Sequence, residues 1–378
     1  LKFTCDRVSL VQAAASAARA TSARSPVPAL EGLLIEAADA GILTISGYDL
    51  KMGIVSQTEA VVDRPGSVVL NARLFGDIIR RLPGDEVTIT VGASNNTNIT
   101  SGVSSFDIVG SPAEDYPSLP TADGQTSIEI DGHVLRDIIS QTIFAISDND
   151  TRPVLTGALI ETESDCVTIV AHDRFRVALR REKLMSASAE KMSFIVPGTA
   201  LAEAERIAAN CEDAVEIIVG EKHVIFRLGG TLLISRRLEG EFLNYRNSIP
   251  TTHKYELSVS RREIMDAVER VSLIISDKVK SPVRCTFGDG TLELLSASAH
   301  GTARDECAVN GDGEKLEIGF NNRYLLDALK AAPADELRIC LSAAEKPCII
   351  VPNGADDDSF TYMVLPVRLS AYEANREG

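Results

Sequence analysis

The stretch Asn71-Ala72-Arg73-Leu74-Phe75-Gly76-Asp77-Ile78-Ile79-Arg80-Arg81-Leu82 carries two signals at once. Leu74, Phe75, Ile78, Ile79 and Leu82 recur at the spacing that puts one apolar stripe on a helix. Asn71, just before them, is a residue type that caps helix N-termini. The second signal is the phrase Phe75-Gly76-Asp77-Ile78, apolar–any–Asp–apolar. It returns as Leu135-Arg136-Asp137-Ile138, Ile264-Met265-Asp266-Ala267 and Leu325-Leu326-Asp327-Ala328. One match would be chance; four at equivalent places in predicted helices point to duplication.

Working outward, helices are predicted to begin near Asp6, Asn71, Asp131, Gly198, Ser260 and Asn321, in steps of about 60 residues. Asp6, Asn71, Asp131 and Ser260 are capping types, and Ser260-Arg261-Arg262-Glu263 is a capping box. Leu135, Ile138, Ile139, Thr142, Ile143 and Ile146 form the apolar face of the third helix. Ile264, Val268, Val271 and Ile275 form that of the fifth.

Strand patterns fill the intervals: residues 41–45, 86–91, 166–170, 215–219, 291–295 and 337–341, each β-branched or alternating. Asp289-Gly290 is a hairpin-turn dipeptide. The unit is a helix plus several antiparallel strands, repeated six times.

Two linkers group the repeats. Ser111–Thr126 holds three prolines, and Glu239–His253 resembles it: Tyr116-Pro117-Ser118-Leu119-Pro120 stands beside Tyr245-Arg246-Asn247-Ser248-Ile249-Pro250. The expected fold class is therefore α+β, with three similar domains of two repeats each, over residues 1–121, 122–251 and 252–378.

Composition bounds the function. Of 378 residues, 44% are hydrophobic and 24% charged, enough for a real core in each domain. The formal charge of −16 argues against a protein that grips nucleic acid through a basic footprint. It does not exclude one that merely surrounds it, because the distribution of charge decides that case. Seven cysteines without a C-x-x-C pair read as free thiols in a reducing cytosol, with no disulfide framework and no metal site. No apolar signal core opens the sequence and no run approaches the ~20 residues that span a bilayer, so a cytoplasmic protein is expected.

The helix faces opposite the apolar stripes carry a second pattern. Arg73, Asp77 and Arg80 share spacing and register with Arg323, Asp327 and Lys330. The fifth helix offers Arg262, Asp266 and Glu269; the third offers His133, Asp137 and Ser140 with Arg136 beside them. Each face fits an ordinary solvated surface with i,i+4 pairs worth ~0.2–0.5 kcal/mol. Aligned along one wall, the same basic residues would meet phosphates without reading bases. Both readings stand at this point.

Catalytic signatures are absent. The histidines are His133, His172, His223, His253 and His300, and no zinc, nucleotide-loop or nucleophile-elbow motif accompanies them. Gly288-Asp289-Gly290 and Gly311-Asp312-Gly313 read as turns. The best catalytic candidate is His172-Asp173, with Cys166 as a poorly placed nucleophile. The expectation is a chain that is not an enzyme, with no catalytic residues, no cofactor and no metal.

Over about residues 1–369 the sequence resembles the bacterial β clamp family, the β subunit of DNA polymerase III. The resemblance is carried by Lys2-Phe3-Thr4, by Arg24 with Pro28-Ala29-Leu30-Glu31-Gly32-Leu33-Leu34, and by Asn71 to Ile78. Thr151-Arg152-Pro153-Val154-Leu155-Thr156-Gly157 and Ala171-His172-Asp173-Arg174-Phe175-Arg176-Val177-Ala178 follow. Phe242, Tyr245-Arg246, Pro250, Ile318-Gly319-Phe320-Asn321 and Tyr362-Met363-Val364-Leu365-Pro366-Val367-Arg368-Leu369 complete it.

The resemblance implies a DNA clamp fold: a ring-forming, head-to-tail homodimer that encircles double-stranded DNA without sequence preference and acts as a processivity factor. It implies DNA contacts at Arg24 and in the loop around Asn149–Val154, with Asn149 and Arg152. Joined to Arg73, Arg80, Arg136, Arg262, Arg323 and Lys330 from the helix faces, these form the candidate DNA-facing set. The resemblance also implies a seam of Phe106 and Ile108 facing Ile274 and Ile275. It also implies an apolar pocket where the replicative polymerase, the clamp loader and repair proteins insert short Gln-containing hydrophobic peptides. Matching positions are Leu155, His172, Arg174, Phe175, Arg176, Val177, Leu243, Asn247, Ser248, Pro347, Met363, Val364, Leu365, Pro366, Val367 and Arg368. This chain departs from the family at three places. Arg174-Phe175 stand where a small residue and an imidazole are common, Asn247 replaces a common basic residue, and a polar tail, 370–378, continues past Leu369. The rival readings are a non-catalytic interaction scaffold of the same fold and a thiol or histidine enzyme.

Overall fold

The structure, a computed structural model, describes residues 1–121, 126–149, 151–186, 190–211, 213–275, 281–311, 314–354 and 357–369. The 370–378 tail, Asp312-Gly313 of the glycine turn, Asp150 of the 149–154 loop and 122–125 of the first linker lie outside the described residues.

The first stretch runs β1 (Lys2–Asp6), α1 (Arg7–Ala18), β2 (Gly32–Ala38), β3 (Ile42–Tyr48), β4 (Met52–Glu59) and β5 (Val61–Arg64). It continues β6 (Gly66–Asn71), α2 (Ala72–Arg81), β7 (Glu86–Val91), β8 (Asn96–Ser101) and β9 (Ser104–Val109). Next come β10 (Thr126–Asp131), α3 (Gly132–Ser140), β11 (Gly157–Glu163), β12 (Cys166–His172) and β13 (Arg176–Lys183). They are followed by β14 (Met192–Pro197), α4 (Gly198–Ala208), β15 (Ala214–Val219), β16 (His223–Leu228) and β17 (Thr231–Arg236). The last stretch has α5 (Tyr245–Ser248), β18 (Tyr255–Ser260), α6 (Arg261–Ser272), β19 (Val283–Gly288), β20 (Thr291–Ser298) and β21 (Gly301–Ala308). It ends with β22 (Leu316–Phe320), α7 (Asn322–Ala331), β23 (Glu336–Leu341), β24 (Cys348–Pro352) and β25 (Phe360–Val364).

The order strand–helix–three strands therefore occurs six times, with β5 and the single turn α5 as additions. The six long helices start where the sequence placed them. Asp6, Asn71, Asp131, Ser260 and Asn321 each accept a backbone N–H of the first turn through the side chain, satisfying donors that have no partner inside the helix. The Asp289-Gly290 turn joins β19 to β20 with φ of 52° and 75°, the doubly positive geometry of a type I′ hairpin.

The sheets show how repeats combine. The strand order β5-β1-β7-β8-β9 takes β1 from the first repeat and the rest of its core from the second. In turn β6, from the second repeat, pairs with β2 of the first. The exchange recurs: β10 pairs β15 and β14 pairs β11; β18 pairs β23 and β22 pairs β19. Each domain is thus two repeats that trade first strands. Neighbouring domains then share sheets, through β17·β4 and β13·β25. The long sheets run β10-β15-β16-β17-β4-β3-β2-β6 and β14-β11-β12-β13-β25-β24-β23-β18. Because the middle domain gives half its strands to each, the contacts divide the chain into two units. One is 1–135 with 203–237, the other 136–202 with 238–378, and the divisions fall inside α3, inside α4 and just after β17.

Chain exits follow one rule. Ser111 bridges Val69 of β6, Leu238 bridges Ile195 of β14, and Val367 bridges Gly319 of β22, so each domain's last segment covers the same edge. The strands β9 and β21 stand at sheet ends with no neighbour on their outer side among the described residues.

Four expectations need correction. Leu74 is 48% exposed and leaves the apolar stripe to Phe75, Ile78 and Ile79, since it sits on the first turn away from the sheet. The third helix stops at Ser140; Thr142 begins a separate tight turn, Ile143–Ala145. Ile275 lies beyond the end of α6. The segment 239–253 is no free linker: it contains α5, and Tyr245 is buried.

In the first unit, α1 and α2 pack side by side, with α1 over β3 and β4. The contact face of α1 is Leu10, Ala13, Ala14 and Ala17, small residues that allow close approach. Gly47 on β3 completes it, because a Cβ there would lie 1.9 Å from the Ala17 carbonyl oxygen. Gly47→Ala is expected to lower stability by about 1–3 kcal/mol, the usual cost of overpacking, read as a fall in the urea midpoint. An unchanged midpoint would mean that α1 can lift off the sheet freely.

Candidate functional site

Sheet register builds one row of side chains across the second unit. His172 pairs Val177, Val177 pairs Met363, Met363 pairs Ile349, and Ile349 pairs Cys340. Directly paired residues share a face, so these five line one side of the sheet. Val177, Met363, Ile349 and Cys340 belong to an apolar cluster with Leu159, Val170, Ile195 and Tyr245, flanked by Val154, Phe242, Ile249 and Leu365. Pro347 directly precedes β24. Leu155 is buried in the turn before β11.

Three segments hold the rim. The first is the turn from β12 to β13. Asp173 Oδ1 accepts the backbone N–H groups of Phe175 and Arg176 at 2.9 and 3.0 Å, closing a tight loop. Arg174 sits at φ 80°, and Phe175 is 55% exposed, stacked on Tyr324 with ring centroids 6.0 Å apart. The second is 242–248. Phe242 meets the His172 ring edge-on at 4.8 Å, Leu243 is 38% exposed, and Asn247 and Ser248 lie on α5, tied to Asn244. Tyr245 anchors this segment, its hydroxyl donating to Glu161 Oε2 at 2.6 Å. Burial, and then Glu161, push the phenol's pKa well above its ordinary value. The third is 365–369. The Leu365 N–H donates to the Phe175 carbonyl and the Val367 N–H to that of Gly319, both at 2.8 Å. Gly319 is required there, because a Cβ would lie 2.7 Å from the Val367 carbonyl oxygen. Pro366 and Arg368 lie on this segment.

Two proposed lining residues point elsewhere. Arg176 pairs Val364 across the strands, one step out of phase with Val177 and Met363, so both face the helix side. There Arg176 bonds Asp173 Oδ2 at 2.9 Å and Asp327 Oδ2 at 2.6 Å, and its guanidinium lies 4.5 Å from the centre of the Tyr324 ring. Asp327, read from sequence as part of an outward face, is turned in by this pair. Arg176 thus locks the turn that carries Phe175. Tyr245 was missed as an anchor, although the match of the two linkers at Tyr116 and Tyr245 was its signal; Tyr116 is buried in the same way.

The basic helix faces are largely paired. Arg80 bonds Asp77 at 2.8 Å, Arg136 bonds Asp137 at 2.7 Å, Lys330 bonds Glu269 at 2.7 Å, and Arg262 lies 3.8 Å from Asp266. Arg24, Arg73, Asn149, Arg152 and Arg323 are exposed. In the second unit α6 and α7 pack together, so Arg262, Arg323 and Lys330 share one helical surface, while Arg73 and Arg80 lie on α2 of the first unit. On the proposed seam, Phe106 is exposed and Ile108 half-buried on the open-edged β9; Ile274 and Ile275 are half-buried after α6.

Among the described residues, the candidate pair of Cys166 and His172 is not brought together. Cys166 and His172 stand at opposite ends of β12, about 20 Å apart at ~3.3 Å per residue. Burial raises the thiols of Cys307 and Cys340 to about 11 and that of Cys5 to about 12, so they stay protonated. Among the described residues no cluster of His, Cys, Asp and Glu could hold a metal, and no helix is long and apolar enough to cross a membrane.

Arg176→Ala is expected to cost about 3–5 kcal/mol by chemical denaturation, because it strands the buried Asp173 carboxylate; a loss below 1 kcal/mol would show that the turn holds itself. Burial also lowers the pKa values of His172, His223 and His253 from the ordinary 6.5. Below that pH the unfolded chain takes up protons that the folded chain resists, so stability falls as pH drops through 6.5. Melting scans at pH 7.5 and 5.5 should show the decline, smaller in His172→Gln; an equal decline in that variant would remove His172 from the effect.

Three family models match the chain. They are the DNA polymerase III beta subunit N-terminal domain over residues 1–120, its central domain over 129–244 and its C-terminal domain over 246–368. A beta sliding clamp of Staphylococcus aureus is 34% identical, covering 97% of this chain and 99% of its own. Among solved structures, the DNA polymerase sliding clamp of Bacillus subtilis superposes with a TM-score of 0.94 at 31% identity, covering 98% of this chain and 99% of its own. A putative DNA polymerase III beta subunit of Eubacterium rectale gives 0.92 at 28%, covering 97% and 99%. The exchanged-strand domains, the shared sheets and these matches over nearly the whole length lead to one conclusion: the chain belongs to the DNA polymerase III β subunit family, the non-catalytic DNA sliding clamps of replication.

Proposed function

We propose that two copies of this chain close head to tail into a ring around duplex DNA and tether the replicative polymerase to it. The observation that carries this reading is the fate of the last strand in each repeat. Four of the six are used in joints between domains, β4 with β17 and β13 with β25, while β9 and β21 have no strand on their outer side among the described residues. The same antiparallel joint made between β9 of one copy and β21 of the other would pair the two last strands left over, and two such joints would close the assembly. Phe106 and Ile108 would then meet Ile274 and Ile275 of the second copy.

We place the domains at 1–121, 122–251 and 252–378; the family matches end and begin near the first boundary, at 120 and 129, and pass from the second domain to the third between 244 and 246. Arg24, Arg73, Arg80, Arg136, Asn149, Arg152, Arg262, Arg323 and Lys330 would face the DNA. Their neighbouring acids keep each phosphate contact weak, so the ring slides; closure, not affinity, prevents escape. The apolar row of His172, Val177 and Met363, rimmed by Leu155, Leu243, Pro347, Leu365 and Val367, would take short hydrophobic peptides of the polymerase, the clamp loader and repair proteins. Arg174, Phe175, Asn247, Ser248, Pro366 and Arg368 would orient them, while Arg176 and Val364 act from behind the turn. Bound there, a partner stays at high local concentration on the DNA. The setting is the cytoplasm, on the nucleoid.

The solution mass is expected to be twice the 40.6 kDa of one chain. Loaded onto a nicked circle, the protein should stay bound through a high-salt wash and leave when the circle is cut. A stable monomer at micromolar concentration, or indifference to linearisation, would end the ring proposal and leave a scaffold of the same fold.

A further inference from the structure

The apolar groove contains one group that its packing does not explain. His172 is 5% exposed, yet neither ring nitrogen has a hydrogen-bond partner. Leaving a buried donor unpaired is costly, and a phenylalanine would make the same edge-on contact with Phe242 without that cost. The ring lies on the groove face, beside Val177 and in line with Met363.

The first unit supplies the comparison. Tyr48-Asp49-Leu50-Lys51-Met52 repeats the turn of His172–Arg176: Asp49 Oδ1 accepts the N–H groups of Lys51 and Met52, and Leu50 sits at φ 73°. Tyr48 pairs Gly53 as His172 pairs Val177. There the space is taken by the chain itself, since a Cβ on Gly53 would lie 3.0 Å from Leu119 Cδ2. At the second joint the His172 ring meets Phe242, and Leu243, next in sequence to Phe242, stays 38% exposed.

We propose that His172 is a specificity-determining residue of the groove, its imidazole N–H donating to a backbone carbonyl oxygen of the bound segment. This rests on the peptide-groove reading above. The occupant is an extended peptide, because a segment that brings only apolar side chains would leave the imidazole and its own carbonyl unpaired in a dry site. Burial keeps the ring neutral, so it offers one donor rather than a charge.

The test is fluorescence-anisotropy titration of a labelled synthetic pentapeptide, one glutamine followed by leucine and phenylalanine residues, onto the full-length chain and onto His172→Phe and His172→Gln. His172→Phe should bind about tenfold more weakly, the scale of one buried hydrogen bond, while melting at a higher temperature than the parent. His172→Gln, which keeps a donor, should recover most of the affinity. In the parent, the imidazole ¹⁵N resonances of His172 should shift on saturation with peptide. Parent and His172→Phe binding equally, with no ¹⁵N shift, overturns the hydrogen bond and leaves the groove intact. Weaker binding together with a lower melting temperature assigns the ring to packing and overturns it too. No binding by the parent overturns both the hydrogen bond and the groove.

Discussion

An unpaired strand edge is a row of backbone donors and acceptors that must find partners, and this structure is organised by where those partners come from. Within a domain, each repeat gives its first strand to the sheet of the other. Between domains, last strands pair. At the end of each domain, the departing chain covers one more edge. A single repeat could not stand alone under this scheme: its sheet would lack a strand, and that strand would lack a sheet. Duplication and stability are therefore the same fact.

The groove is a product of the second joint. Pairing β13 with β25 brings His172 and Val177 beside Met363, residues far apart in the chain. The 242–248 segment crosses this face because Tyr245 is anchored on Glu161. Arg176, from the opposite face, holds the turn against Asp327 of α7. A charged network behind the sheet thus fixes an apolar surface in front of it, and the two are separated by one step of strand alternation.

Charge follows a similar division of labour. A net charge of −16 does not suit a protein that binds DNA by attraction alone. Arg80 on α2, Arg262 on α6 and Lys330 on α7 each have a carboxylate within 4 Å. Such pairs contribute little to stability, and they moderate what each cation can offer a phosphate. That moderation suits a closed ring, in which retention is topological.

Much of the fold was legible in the chain. The six helix starts follow from capping residues and the 3.6-residue stripe, which are local signals and survive any tertiary context. The Asp289-Gly290 hairpin follows from the need for positive φ. The repeat itself followed from Asp77, Asp137, Asp266 and Asp327 recurring in one phrase. The sequence could not show that first strands are exchanged, because pairing partners are chosen by geometry across dozens of residues and either choice satisfies the alternating pattern. Nor could it show that Asp327 turns inward to Arg176, that Leu74 turns outward, or that Tyr245 is buried in an apparent linker. Those depend on which neighbour fills the space. Family resemblance located the groove residues by position, but only register separates His172, Val177 and Met363, which face it, from Arg176 and Val364, which do not. Local chemistry determined the elements, and long-range pairing decided which surfaces they make.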